Sequence, residues 1–156
     1  MAKRARSDKS TNRAAKHTSI SLAEFIRHVT REPLTRRDQS RLGRVFALAE
    51  TLPSVTTTPF GERHISFGVG KKTFAYYLNN HHGDGVIALC CKASPARQQE
   101  LVTREPQRYR VPAYLGRAGW VSIRLDMPDA DWAVLLEQFI AAYRAQAPKR
   151  LLALID

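Results

Sequence analysis

A chain of 156 residues with a formal net charge of +11 can bury an ordinary core without disulfide or metal staples, and it is basic enough to attract polyanions. No stretch approaches the ~20 consecutive apolar residues of a helical membrane span. No apolar segment with a small-residue cleavage site follows the basic N-terminus, so a secretory signal is not expected. The two cysteines, Cys90 and Cys91, adjoin in a strand-like run and point to opposite faces, which argues against a mutual disulfide or a shared metal. The expectation is a cytoplasmic protein without a cofactor.

Residues 1–17 are polar and poor in large apolar groups. Lys3, Arg4, Arg6, Lys9, Arg13 and Lys16 against Asp8 give +5 in the first sixteen residues and leave +6 for the rest. A disordered basic tail is predicted there, either inert or a flexible arm that adds phosphate contacts. Residues 18–156 are predicted to form a single α+β domain. In SISLAEFIRHVT, Ser21 and Glu24 have capping-box spacing, and Leu22, Phe25, Ile26 and Val29 share a stripe. That pattern predicts a short helix docked on the body, ended by Pro33. A second helix is predicted from about Arg37 to Leu52, capped by Thr35 or Asp38, with Leu42, Val45, Phe46, Ala49 and Leu52 on its buried stripe. Arg37, Arg41 and Arg44 lie on another face at i, i+4, i+7. Such a row either grips phosphates or is a solvated face.

LPSVTTTPFG reads as a turn-rich connection, because Pro53 and Pro59 punctuate it. Ile65, Phe67 and Val69 then alternate with His64, Ser66 and Gly68. GVGKK reverses the chain, and Phe74, Tyr76 and Leu78 alternate with Thr73, Ala75 and Tyr77, which predicts a hairpin with Lys71 and Lys72 at its tip. NNHHGDG is a longer turn, and VIALCCK is a third strand too uniformly apolar to phase. Ser94 and Pro95 open a helix to about Arg104. The central stretch Tyr109–Leu125 follows, with Pro112, Gly116 and Gly119 shaping a loop. In the strand after it Val121, Ile123 and Leu125 face the core while Trp120, Ser122 and Arg124 face outward. Asp129 or Asp131 opens the last long helix, with Trp132, Leu135, Leu136, Phe139, Ile140 and Tyr143 on its apolar stripe. LLALI is expected to pack back on the body. Strands grouped rather than alternating with helices imply an α+β fold with an antiparallel sheet.

From about Ala47 to Leu152 the chain resembles the MmcQ/YjbR family, the so-called double-wing proteins. The residues that carry the resemblance are LPSV, GKKTFA, GVIALCCK, SPARQQELVTREPQRYRVPAYLGRAGWVSIRLD and DWAVLLEQFIAAYRAQAPKRL. Val111–Leu125 and AYRAQAPKRL are the most specific of these. Ala113 departs from the family pattern, which usually has a second proline after Pro112. The resemblance implies a two-layer fold similar to secretion chaperones, with helices over one side of a five-stranded antiparallel sheet. It also implies DNA binding, by analogy of hairpins with wings. It brings no catalytic residues.

Three functions are weighed. The favoured one is a non-enzymatic DNA-binding protein. Its predicted surface combines the Arg37, Arg41 and Arg44 row, a Lys71 and Lys72 wing tip, and an outward sheet face bearing Tyr77, Lys92, Trp120 and Arg124. On that face the alternative is a covered satellite core under the C-terminal segment. The second function is a protein- or peptide-binding module of chaperone-like fold, using a sheet edge or an apolar groove. The third is an enzyme. His17, His28, His64, His81 and His82 are scattered, the His81–His82 pair lacks a carboxylate at ligand spacing, and no nucleophile or phosphate-loop motif is present.

Overall fold

The computed structural model describes residues 19–156, and the basic tail predicted over 1–17 lies outside them. Its helices are α1 (Leu22–His28), α2 (Arg36–Glu50), α3 (Pro95–Arg104), α4 (Trp132–Gln146) and α5 (Lys149–Leu152). Its strands are β1 (Val55–Phe60), β2 (His64–Val69), β3 (Lys72–Asn79), β4 (Ile87–Cys91), β5 (Tyr109–Arg110) and β6 (Val121–Arg124). They form one antiparallel sheet in the order β1-β2-β3-β4-β6-β5. The α+β prediction therefore stands, with six strands rather than about five.

The helix starts follow local chemistry. The Ser21 hydroxyl accepts from the Glu24 N–H at 3.1 Å and donates to the Glu24 carboxylate at 3.0 Å. Thr35, rather than Asp38, caps α2 and accepts from the Asp38 N–H at 3.1 Å. Ser94 caps α3 and Asp131 caps α4 in the same way, each at 3.1 Å. Each such cap satisfies an otherwise orphaned amide and stabilises its helix by ~1 kcal/mol.

The predicted connection LPSVTTTPFG contains the extra strand, β1. Its apolar contrast is weak because threonines occupy both faces, yet β-branched residues suit a pleated edge. Pro59 is tolerated because an edge strand needs ladder partners on one side only. The free side of β1 is not left open: Ile20 donates its N–H to the Thr57 carbonyl at 2.8 Å, and the Thr57 hydroxyl donates to the Ile20 carbonyl at 2.7 Å.

Helices α1, α2 and α4 cover one face of the sheet. Phe67, Phe74, Phe139 and Tyr143 form an aromatic cluster there, with Phe74 and Phe139 rings 5.1 Å apart. The Tyr143 hydroxyl reaches the Pro53 carbonyl at 2.6 Å. Along α4 the buried residues are Leu135, Gln138, Phe139, Ala142 and Tyr143, whereas Leu136 of the predicted stripe is exposed. With its amide oxygen turned to Arg97, Gln138 accepts from that guanidinium at 3.1 Å, which makes its burial affordable. Leu151 is buried, so the C-terminal segment packs back as expected.

Candidate nucleic-acid interface

One residue decides what the other face of the sheet displays. Phe67 pairs with Ala75 and Gly68 with Thr73, so Phe74 is left over as a β-bulge. A bulge inserts one residue and inverts the alternation beyond it. Phe74 and Ala75 both turn to the core, and from there Tyr77 points inward and Tyr76 outward. This corrects the predicted phase. Tyr77 is buried, its ring edge-on to Phe25 at 6.3 Å, and burial pushes its hydroxyl up to about 12. It cannot touch a ligand. The outward row is Thr58, Ser66, Tyr76, Cys90, Ser122 and Arg110, each directly opposite the next across all six strands.

The other predicted residues divide by what already engages them. Trp120 is on the outer side, as its strand phase predicts, but only 6% exposed, with its ring 5.6 Å from Tyr76. It is covered, with Tyr76 against its ring, and offers no open stacking platform. Arg124 makes a bidentate pair with Asp126 at 2.9 and 3.1 Å. Arg41 pairs with Asp38 at 3.2 Å and reaches the Met127 carbonyl. Arg44 lies over the Trp132 ring at 4.0 Å, clamping α2 to α4. Within the predicted row Arg41 is thus engaged by Asp38 and Arg44 by the Trp132 ring, while Arg37 is exposed and makes neither kind of contact among the described residues. Lys92 is half-buried and donates to the Ala118 carbonyl at 3.1 Å.

Lys71 and Lys72 are exposed at the β2–β3 turn, where Gly70 adopts φ +60° as a two-residue hairpin requires. A Cβ on Gly70 would lie 3.4 Å from Pro148, so the turn abuts the junction of α4 and α5. That contact sets exposed Lys149 and Arg150 beside the turn. The four cations form no ion pair within 4 Å among the described residues, unlike Arg31, Arg63, Arg97, Arg108 and Arg144, which all have acidic partners. Beside them the outer face holds a depression of about 230 Å³, lined by Lys71, Lys72, Thr56, Thr58, Ser66 and Thr73. Gly68 keeps it open, since a Cβ there would meet the Thr56 hydroxyl at 2.8 Å.

Across the same face runs a groove of about 540 Å³. Tyr76, Leu78, Cys90 and Ser122 line it from the sheet, and Phe60, Arg110, Tyr114 and the His81–His82 turn border it. His81 lies 3.9 Å from the ring of His82 and 5.0 Å from that of His64. Burial, followed by the nearby His81, holds His64 below its ordinary value, and its Nδ1 accepts from the Asn79 N–H at 3.1 Å. Burial likewise lowers His81, with His82 adding to the effect. Among the described residues no group of three or more His, Cys, Asp or Glu is placed to hold a metal ion. Burial pushes the Cys90 thiol up to about 12 and Cys91 well above its usual value, so neither is a thiolate at neutral pH.

Tyr76, Arg110, Tyr114, Lys149 and Arg150 are not among the residues predicted from sequence. Tyr114 carried a signal, as an aromatic inside a proline- and glycine-bounded loop. Lys149 and Arg150 carried none, because their closeness to the hairpin is a long-range contact.

A family model described as YjbR matches residues 50–145. The crystal structure of Deinococcus radiodurans protein DR2400, which carries the family-model domain DUF419, superposes with a TM-score of 0.55 at 24% identity, covering 65% of this chain and 75% of that one. That likeness concerns the fold. No curated protein matches the chain. Among the described residues no helix is long and apolar enough to cross a membrane.

Proposed function

The chain belongs to the YjbR family, and on that premise we propose that it is a non-enzymatic nucleic-acid-binding protein that grips the phosphates of DNA with little regard for base sequence. The observation that carries this is the approach of the Lys71–Lys72 turn to Pro148, which directly precedes Lys149 and Arg150. The four cations come from elements far apart in sequence, are all exposed, and have no carboxylate within ion-pair distance among the described residues. Arg31, Arg41, Arg63, Arg97, Arg108, Arg124 and Arg144 are each engaged by an acid, whereas these four cations are not and are available to an external anion, as are other arginines unpaired among the described residues, such as Arg37 and Arg110. Neutralising phosphates there releases condensed counterions, and this supplies sequence-tolerant affinity. The net charge of +11 adds attraction at long range.

Peptide binding by strand addition needs an open sheet edge. Ser19 and Ile20 engage the outer side of β1, and β5 at the other edge has two residues. Both facts weigh toward nucleic acid and away from a chaperone-like peptide site. The experiment is an anisotropy titration of labelled duplex DNA at two salt concentrations. Affinity should fall steeply as salt rises. Absence of binding at low salt, or binding indifferent to salt, refutes the proposal.

A further inference from the structure

The two features of the outer face are contiguous. Ser66 lines the hydroxyl depression and Tyr76 lines the groove, and these residues lie directly opposite each other in the β2–β3 ladder. Cross-strand neighbours of this kind have Cβ atoms ~5 Å apart. An anion site and an aromatic site therefore share a border.

The chemistry of each half is distinct. The depression presents hydroxyl donors and two lysines, suited to a phosphate. The groove presents aromatic surface from Phe60, Tyr76 and Tyr114, with polar groups from Ser122, Arg110 and the His81–His82 turn around it. Its volume lies within the range of small-molecule sites. Asp84 is the one carboxylate lining it among the described residues, and that side chain is turned back to accept from the Val86 N–H at 3.0 Å. Arg110 at the opposite border is exposed. The charge balance thus favours an anionic ligand with a flat, polar-edged ring.

Tyr114 strengthens the case. It is 94% exposed, so the core does not need its ring, and it sits at φ +64°, a backbone conformation that costs a non-glycine residue strain. Packing does not account for a strained, solvated aromatic at the rim of an aromatic groove. A role in stacking does.

We propose that the outer sheet face holds a single-stranded nucleotide unit, its phosphate in the Lys71–Lys72 depression and its unpaired base in the groove between Tyr76 and Tyr114. The assignment rests on the nucleic-acid reading above and adds what that reading lacks, a place for an unstacked base. A duplex engages the phosphate half alone, because its bases are already stacked and paired.

The test compares oligothymidylate with an abasic deoxyribose-phosphate oligomer of the same length, at one salt concentration, by competition against a labelled strand. Phosphate contacts are equal in the two, so their ratio reads the base. The base-bearing strand should bind about tenfold more tightly, and Tyr114→Gly should collapse that ratio toward one. Glycine accepts the positive φ, so this variant keeps its fold. A ratio of one in the unmodified protein, with both oligomers still binding in a salt-sensitive way, overturns the base groove and spares the phosphate edge. A ratio unchanged by Tyr114→Gly overturns the role of the groove as well. Failure of both oligomers to bind overturns both proposals.

Discussion

Neutralising the cationic edge is the perturbation that separates a phosphate grip from mere surplus charge. A fourfold variant, Lys71→Gln, Lys72→Gln, Lys149→Gln and Arg150→Gln, removes four exposed charges that form no ion pair among the described residues. Surface changes away from specific contacts usually alter stability by no more than about 0.5 kcal/mol, so the fold should survive. If each cation meets one phosphate, each contributes about 0.9 to the slope of log affinity against log salt. Losing all four lowers that slope by about 3.6 and, near 0.1 M salt, weakens binding by roughly three to four orders of magnitude. Anisotropy of labelled duplex DNA over a salt series measures both quantities, and denaturant unfolding checks stability in parallel. Arg41→Gln is the matched control. It breaks a pair with Asp38 and a contact to the Met127 carbonyl, so it should cost about 1 kcal/mol of stability and leave the slope alone. An unchanged slope in the fourfold variant, or a reduced slope in Arg41→Gln, refutes the assignment of the interface to this edge.

Three further outcomes follow from the packing. Phe74→Ala removes the bulged ring that touches Phe67, Phe139 and Tyr143 and should destabilise by about 3–5 kcal/mol in denaturant unfolding; a loss below about 1 kcal/mol would mean the cluster is not packed as described. Gly119→Ala places a Cβ 2.7 Å from the backbone of Ser94 and Pro95 at φ +87°, so strain and overlap together should cost about 3 kcal/mol, and wild-type stability in that variant would contradict the loop geometry. His64 is held below its ordinary 6.5 by burial and then by His81. The unfolded chain therefore binds its proton first on acidification, and stability contributed by neutral His64 is present above 6.5 and lost as pH falls toward the folded value. His64→Asn should flatten the pH dependence of the unfolding free energy in that window, and parallel curves for the two proteins would show that His64 is not the group responsible.

Local chemistry made much of the architecture legible. Ser21, Thr35, Ser94 and Asp131 mark helix starts because a cap acts on amides two or three residues away. The β2–β3 hairpin and the phase of Val121, Ile123 and Leu125 follow from alternation within a few residues. Strand β1 was hidden because threonine and proline dilute the apolar contrast that a period of two needs. Leu136, expected on the apolar stripe of α4, is exposed, while Gln138 is buried because Arg97, from α3, supplies a partner that makes a buried amide tolerable.

The placement of several candidate residues differs from what the sequence implies. Charge and aromatic content pointed to nucleic acid, and Lys71 and Lys72 were identified as an exposed tip from the turn alone. Strict alternation carried through Phe74 puts Tyr77 outward, and the register slip there turns Tyr76 outward instead. Asp38 and Asp126 lie only three and two residues from Arg41 and Arg124, so those pairs are local, whereas Arg44 meets Trp132 only through the packing of α2 on α4. The amino-acid order by itself determined the helix caps, the hairpin and the class of fold, since these depend on interactions between residues close along the chain. Tertiary structure decided which cations stay unpaired, which tyrosine faces outward and what lies beside the hairpin tip. Those outcomes depend on a one-residue bulge and on contacts such as Gly70 with Pro148, whose partners are separated by most of the domain.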